Sequence, residues 1–66
     1  MNNALRTHRE QRNLTQGELA SLVDVTRQTI NSIERGRYNP SLELALKLAR
    51  EFECSVGDLF WLESGE

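Results

Sequence analysis

The sequence predicts an all-α fold made of five short helices. Apolar residues recur at helical spacing, as at Leu19 and Val23, so that they share one face of a helix. Residues that cap helices stand directly before such stretches, and Thr15 with Glu18 has the spacing of a capping box. The 66 residues are expected to form one domain over 1–66, because a chain of this length holds a single small core.

The first helix is expected to follow the two asparagines at the start of the chain. Asn2 or Asn3 can cap it, and the helix is predicted to run to about Arg12. Leu5 and the stem of Arg9 then face inward together, because residues four apart lie on the same side of a helix.

The second and third helices are predicted to form a helix-turn-helix over about 15–36. The second helix must end by Asp24, and Thr26 supplies the hydroxyl of an N-cap for the third. Gly36 stands where a left-handed residue commonly ends a helix. Only Asp24 and Val25 separate the two helices, and so short a corner indicates a helix-turn-helix rather than a parallel hairpin of helices.

The fourth helix is expected between Pro40 and about Phe52, and a short fifth helix follows it. Pro40 stops any preceding helix, and Ser41 can cap the fourth. The expected core stripe of this helix comprises Leu42, Ala45, Leu46, Ala49 and Phe52, with Leu48 at its edge. Ser55 with Asp58 repeats the cap spacing and predicts the start of the fifth helix.

The chain has more large apolar side chains than these helices can bury. Leu44 falls outside the expected core stripe, and Phe60, Trp61 and Leu62 follow one another without a polar break. A small domain cannot bury three consecutive large side chains on one face, so at least one is expected to be exposed. We predict a two-fold homodimer that uses these four residues, with 60–66 as its dimerisation segment. In the alternative interpretation, Trp61 lies across helices of its own chain.

The third helix carries the candidate functional residues on a polar face. Arginine can bridge O6 and N7 of guanine, glutamine or asparagine can bridge N6 and N7 of adenine, and threonine or serine can serve either strand or a phosphate. The candidate base readers are Arg27, Gln28, Thr29, Asn31 and Ser32. Arg27 lies in the first turn, where the helix dipole disfavours a cation by up to about 1 kcal/mol, which suggests a nearby anion. A polar face that is only solvated is the alternative.

Charge is divided unevenly along the chain, whose net charge is −2. Residues 1–37 carry six arginines and four acids, whereas residues 38–66 carry two basic and six acidic residues. The basic part contains the predicted helix-turn-helix, so positive charge is concentrated where a nucleic acid would bind.

Together these motifs resemble the lambda-repressor-like helix-turn-helix family, especially the compact bacterial Xre-type regulators. The resemblance rests on Arg9, on LTQxELA at 14–20, on VTRQTIxxIExG at 25–36 and on NPSL at 39–42. It implies a five-helix domain that binds double-stranded DNA, usually as a dimer, and represses or activates transcription. We predict a repressor that binds a pseudo-palindromic operator.

The resemblance also indicates which residues contact phosphates. It makes Gln16, at the start of the second helix, a phosphate contact. Arg37 and Asn39 directly follow the recognition helix, so we assign them, with Thr26, to phosphate positioning as well.

The family pattern further couples the first helix to the third. The resemblance implies that Arg9 pairs with Glu34. In the alternative interpretation, both charges are exposed and contribute almost nothing to stability. Asp24 and Glu53 stand where the family very often has glycine, and a non-glycine residue in a left-handed conformation carries some strain.

The remaining observations concern other classes of protein. No apolar run approaches the roughly 20 residues of a membrane span, and the N-terminus lacks the apolar core of a signal peptide. The single cysteine, Cys54, cannot form an internal disulfide, which agrees with a reducing compartment, and we expect a cytoplasmic protein. Without a glycine-rich phosphate loop or a Cys or His cluster, we expect no enzyme, metal, cofactor or small-molecule ligand. A protein-interaction module, such as an adaptor or antitoxin-like partner, remains the alternative function.

Overall fold

The computed structural model describes residues 1–63, which form five α-helices and one small antiparallel sheet. The helices are α1 (Leu5–Gln11), α2 (Gln16–Leu22), α3 (Arg27–Glu34), α4 (Leu42–Glu51) and α5 (Val56–Leu59), and the strands are β1 (Asn2–Asn3) and β2 (Phe60–Trp61). The predicted all-α class with five helices is confirmed, whereas the two short strands were not predicted. Of the predicted dimerisation segment 60–66, residues 64–66 lie outside the described part of the chain.

The starts of α2 to α5 are fixed by hydroxyl side chains. In each case the N-cap hydroxyl accepts a hydrogen bond from the backbone amide three residues further on; these N-caps are Thr15, Thr26, Ser41 and Ser55. Glu18 and Asp58 accept in return from the backbone amides of their N-caps, so α2 and α5 begin with complete capping boxes. The bonds satisfy amides that have no partner inside the first turn. These four predicted helix starts are confirmed.

The ends of α1 to α4 share one backbone motif. The residue after each C-cap is left-handed, with φ of 57° at Asn13, 59° at Asp24, 74° at Gly36 and 54° at Glu53. The amide of the next residue then donates to a carbonyl in the last turn of the helix, as Val25 does to Ala20 at 3.0 Å. This is the Schellman motif, which satisfies carbonyls that a helix end leaves unpaired. The expected left-handed corners at Asp24 and Glu53 are present.

Three of these motifs place an apolar side chain against the core. Leu14, Val25 and Cys54 occupy the position after the left-handed residue, and all three pack on the buried cluster. Val25 therefore fills the corner of the helix-turn-helix. Burial raises the pKa of the Cys54 thiol, so less of it is thiolate at neutral pH. Cys54 is a small apolar residue of this corner.

The core is formed by all five helices together with Phe60. Its largest fully buried side chains are Leu5, Leu19, Ile30, Ile33, Leu48 and Leu59. The most extensive packing joins α2 to α3, and α5 packs on α4. No helix within residues 1–63 is long and apolar enough to cross a membrane.

The face of α4 that enters the core differs from the predicted stripe. Leu44 and Leu48 are buried at 7% and 0% exposure, whereas Leu42 and Leu46 are exposed at 72% and 53%. The prediction was therefore wrong for Leu42 and Leu46, and also for Leu44 as a side chain left for a partner chain. The buried row runs from Leu44 through Leu48 to Phe52 at four-residue steps, and every member is apolar. The row from Leu42 through Leu46 continues to the charged Arg50, so it faces solvent.

The start of the chain also differs from the prediction, because the two asparagines lie in a strand. Asn2 pairs with Trp61 and Asn3 pairs with Phe60 in antiparallel register. Helix α1 begins only at Leu5, whose amide donates to the Asn3 side-chain oxygen at 3.2 Å. The Asn3 amide nitrogen also donates to the Ile33 carbonyl in the last turn of α3, at 2.9 Å. Asn3 therefore ties the end of α3 to the strand pair.

Candidate nucleic-acid interface

Helix α3 presents one buried side and one polar side. Ile30 and Ile33 are buried at 0% and 1% exposure and fix the rotation of the helix on α2. Arg27 and Gln28, in the first turn, are exposed, and Ser32 is half-buried. Among residues 1–63, no side-chain hydrogen bond engages any of these three side chains, so their polar atoms are available to an external ligand.

The polar side of α3 divides into two rows of residues. Arg27, Asn31 and Arg35 are four residues apart and form the row nearest the start of α2. The Arg27 side chain passes over Gly17, where an added Cβ would lie 3.9 Å from Arg27 Cδ.

The second row is formed by Gln28 and Ser32. With Thr26, Thr29 and Tyr38, these residues line an open depression of about 220 Å³. Its lining consists of hydroxyls, one amide and the half-exposed ring of Tyr38. Such a surface offers hydrogen bonds to a base edge or a backbone oxygen, together with an apolar contact.

Two predicted base readers are partly engaged within the protein. The Asn31 amide nitrogen donates to the Gln16 side-chain oxygen at 3.4 Å. The hydroxyls of Thr26 and Thr29 lie 3.0 Å apart and share a hydrogen bond. Asn31 and Thr29 are therefore less available to bases than Arg27 and Gln28. The contact between Gln16 and Asn31 joins residues 15 apart in sequence, and only the packing of α2 on α3 brings them together.

An ion pair holds α1 against α3 below this surface. Arg9 Nε donates to Glu34 Oε2 at 2.7 Å, and Arg9 Nη2 donates to Glu34 Oε1 at 3.2 Å. The two side chains are 12% and 5% exposed, so the pair lies inside the protein, as the family resemblance implies. Arg9 Nη1 also donates to the Leu14 carbonyl at 2.8 Å, and the hydrogen bond to Glu34 raises the pKa of Arg9.

Gln16 joins this ion pair to Asn31 of α3. Its amide nitrogen donates to Glu34 Oε1 at 3.1 Å, while its oxygen accepts from Asn31. A chain of polar contacts therefore runs from Arg9 through Glu34 and Gln16 to Asn31. It fixes the start of α2 relative to α3, which is the geometry on which a helix-turn-helix depends.

The cations around α3 are left without acidic partners. Arg6, Arg9 and Lys47 pair with Glu10, Glu34 and Glu43 respectively. Among the described residues, the arginines that form no ion pair are Arg12, Arg27, Arg35, Arg37 and Arg50. Three of these five, Arg27, Arg35 and Arg37, belong to α3 or to the loop that follows it. Positive charge is therefore concentrated on the polar side of the helix-turn-helix.

The predicted phosphate contacts lie around the edges of α3. Thr26 caps its N-terminus, and Gln16 begins α2 beside it. Arg37 and Asn39 are exposed in the loop after α3, and the Arg37 backbone amide donates to the Ser32 carbonyl at 2.9 Å. Within residues 1–63, no group of three or more His, Cys, Asp or Glu side chains is arranged to hold a metal ion.

Comparison with protein families places this geometry in a known group. A family model described as Helix-turn-helix (HTH_3) matches residues 5–59, which include all five helices. The chain belongs to the HTH_3 helix-turn-helix family. The lambda-repressor-like, Xre-type membership expected from the sequence is thereby confirmed, and the proteins of this family are not enzymes.

Relatives of similar length are named as HTH-type transcriptional regulators. One from Methanothermobacter thermautotrophicus is 56% identical over 64 residues, which cover 96% of this chain and 93% of the relative. One from Methanocaldococcus jannaschii is 47% identical over 66 residues and covers both chains fully. One from Bacillus subtilis is 44% identical over 63 residues and covers 96% of each. Because both archaea and bacteria supply relatives, the resemblance to compact bacterial regulators does not indicate a bacterial origin for this chain.

Two solved structures share the fold. The restriction-modification controller protein C.AhdI from Aeromonas hydrophila superposes with a TM-score of 0.77 at 38% identity, covering 85% of each chain. The clp gene regulator ClgR from Corynebacterium glutamicum gives a TM-score of 0.75 at 33% identity, covering 82% of this chain and 57% of ClgR.

Proposed function

We propose that this protein is a sequence-specific DNA-binding transcriptional regulator that reads its site through α3. The observation that carries the proposal is the polar side of that helix, where Arg27 and Gln28 are exposed and have no side-chain partner among residues 1–63. The relatives are named as transcriptional regulators and the two solved structures as a controller protein and a gene regulator, which supports the same role. As a regulator acting on chromosomal or mobile DNA, it would work in the cytoplasm.

We assign base readout first to the α3 side chains that have no hydrogen-bonding partner among the described residues, and then to those that have one. Arg27 is suited to bridge O6 and N7 of guanine, and Gln28 to bridge N6 and N7 of adenine. Ser32 and Thr29 support them from the neighbouring depression, and Asn31 supports them while held by Gln16.

Phosphates on either side of the reading site would fix the register of the protein on the duplex. Gln16 and Thr26 lie at the helix N-termini, and Arg37 and Asn39 lie in the loop after α3. Contacts of this kind position a protein without carrying sequence information.

A second copy would complete the site. An apolar depression on the described part of the chain has a volume of about 360 Å³ and is lined by Met1, Pro40, Leu42, Ala45, Val56, Phe60, Trp61 and Leu62. We call this surface the terminal apolar patch. Trp61 and Leu62 are exposed at 44% and 63%, while Phe60 is buried at 7% and borders the patch from inside. Trp61 and Leu62 would therefore be the principal dimer contacts, and Leu42 would replace the buried Leu44.

A two-fold dimer would present its two α3 helices to successive major grooves. The spacing between half-sites would then be about 34 Å, which requires a pseudo-palindromic operator. Repression is the simplest regulatory outcome, because occupying an operator that overlaps a promoter needs only DNA binding. A reporter gene placed behind the operator should be expressed less when the protein is present.

The terminal apolar patch also favours a second candidate function. An unrelated protein could bind the same patch, in the manner of an adaptor or antitoxin-like partner. That function would require Trp61 for partner binding and would not require Arg27.

Selection of bound sites from a random DNA pool at physiological salt tests the proposed function. The expected product is a motif with two inverted halves about one helical turn apart. If no sequence is enriched and affinity stays at the non-specific level of about 10⁻⁴ to 10⁻⁶ M, sequence-specific regulation is wrong and the partner-binding function takes its place.

A further inference from the structure

A cleft between α1 and α3 opens beside the reading surface, and its two exposed arginines, Arg6 and Arg35, have no DNA contact assigned so far. Its volume is about 350 Å³, and it is lined by Arg6, Arg9, Gln16, Asn31, Glu34 and Arg35. Asn31 belongs both to this cleft and to the first row of α3, so the cleft is continuous with the surface proposed to face DNA.

The buried acid at the base of the cleft is already neutralised. Glu34 is 5% exposed, and both of its carboxylate oxygens accept hydrogen bonds from Arg9. Oxygen Oε1 accepts a further bond from Gln16. Because each oxygen has donors and the charge is balanced by Arg9, Glu34 contributes little negative potential at the mouth of the cleft.

The mouth of the cleft is left with two positive side chains. Arg35 is exposed and has no acidic partner among the described residues. The side chain of Arg6 is 71% exposed, and its only ion pair within the described part of the chain is a contact of 3.5 Å with Glu10, one turn further along α1. An exposed pair of this kind is weak, so Arg6 can turn to another anion at little cost.

We propose that this cleft binds a phosphate of the DNA backbone through Arg6 and Arg35. The inference rests on the proposed function and extends it, because it makes α1 a third DNA-contacting element beside α2 and α3. Two guanidinium groups from different helices would bracket one phosphodiester flanking the sequence that α3 reads. The contact would strengthen binding without selecting a base.

The salt dependence of binding separates this role from a general loss of charge. Each phosphate contact adds about 0.9 to the slope of log affinity against log salt, which is about 3.5-fold in affinity between 50 and 200 mM salt. We expect Arg6→Gln and Arg35→Gln each to reduce this slope and to weaken binding equally on the selected site and on a scrambled duplex. Arg50→Gln is the matched control, since Arg50 is also unpaired but lies on the outer face of α4.

A second pair of variants tests the same contact through an expected gain in DNA affinity rather than a loss. Glu10→Gln removes the competitor of Arg6 and should raise affinity by no more than about fivefold, because the exposed pair that it breaks is weak. Glu43→Gln removes an acid from an equivalent pair with Lys47, also four residues apart and also 3.5 Å long, on α4. It should leave affinity nearly unchanged.

The outcomes distinguish failure of the proposed function from failure of the proposed phosphate site. If the unaltered protein selects no DNA sequence, the proposed function itself has failed. If the unaltered protein binds its selected site but the Arg6 and Arg35 variants keep the slope of Arg50→Gln, the cleft is not a phosphate site. Equal effects of Glu10→Gln and Glu43→Gln would overturn it in the same way. Circular dichroism of each variant shows that the fold is retained.

Discussion

Arg9 and Glu34 form a two-point ion pair that joins α1 to the recognition helix. Arg9 Nε and Nη2 lie 2.7 and 3.2 Å from the two oxygens of Glu34, and Gln16 adds a third donor. The pair is largely closed to solvent, so removing one partner leaves the other as a buried charge without compensation.

We therefore expect Arg9→Ala to lower the free energy of unfolding by about 3 to 5 kcal/mol, as breaking buried ion pairs does. Arg9→Lys should cost less, because lysine keeps the charge but loses the fork of donors that matches a carboxylate. The double variant Arg9→Met with Glu34→Leu should recover much of the loss, since neither charge remains. Urea denaturation followed by circular dichroism measures all three. A loss below about 1 kcal/mol for Arg9→Ala would mean that the pair behaves like an exposed one.

Glu53 is a non-glycine residue held at φ 54° after the end of α4. A left-handed conformation costs an ordinary L-residue about 1 to 2 kcal/mol, and glycine escapes this cost while losing more backbone entropy on folding. Glu53→Gly should therefore stabilise the protein by about 0.5 to 1 kcal/mol. Asp24→Gly should stabilise it less, because aspartate tolerates this region better. Gly36→Ala, at φ 74°, should destabilise it. The unfolding temperature of each variant measures these changes in stability. A lower unfolding temperature for Glu53→Gly would contradict the strain at this position.

Two carboxylates that complete capping boxes make stability depend on pH. Hydrogen bonds from Thr15 hold the pKa of Glu18 below its usual value, and hydrogen bonds from Ser55 do the same for Asp58. A lowered pKa in the folded state means that the ionised form stabilises the fold above the usual pKa. This contribution is lost as pH falls through the folded-state pKa. Unfolding temperatures should therefore decrease from pH 5 towards pH 3.

Replacing the carboxylate of Glu18 with an amide tests which group is responsible for this pH dependence. Glu18→Gln keeps an oxygen that can accept from the Thr15 amide but cannot titrate. The variant should be slightly less stable than the unaltered protein at pH 7 and should lose less stability on acidification. An unchanged difference between pH 7 and pH 3 would show that the capping box of α2 does not carry the effect.

The terminal apolar patch predicts that self-association depends on Trp61. Trp61→Glu places a charge in the proposed two-fold contact and should shift the protein to a monomer in analytical ultracentrifugation. Leu22→Glu is the control, because Leu22 is 52% exposed on α2 and does not line the patch. If both variants and the unaltered protein sediment identically, the dimer contact lies elsewhere or the protein is monomeric.

Much of the fold follows from local chemistry that is visible in the sequence. The caps at Thr15, Thr26, Ser41 and Ser55 depend on residues at most three apart, whereas the left-handed corners at Asp24 and Glu53 were expected from the family resemblance. The pairing of β1 with β2 could not be predicted in this way. Each strand has two residues, and they meet only because the helices bring the ends of the described chain together.

The sequence of α4 did not determine which face of the helix enters the core, because its leucines are crowded together. Leucines at 42, 44, 46 and 48 supply two rows at four-residue spacing, and either row alone resembles a core stripe. The continuation of each row distinguishes the two, since the buried row reaches Phe52 and the exposed row reaches Arg50.

In the candidate site, the residues of the polar face of α3 could be named from the sequence. The bond between Gln16 and Asn31 could not, because it depends on the angle at which α2 packs on α3.

Site selection repeated with Arg27→Ala tests most directly the central claim that α3 reads DNA bases. The variant should bind the original site more weakly by about 1 to 3 kcal/mol and should lose base preference at one position in each half-site. Arg37→Ala should instead weaken binding to all sequences and keep the motif, because a phosphate contact carries no base preference. If Arg27→Ala recovers the same motif as the unaltered protein, with equal losses on random DNA, the first turn of α3 does not read the operator.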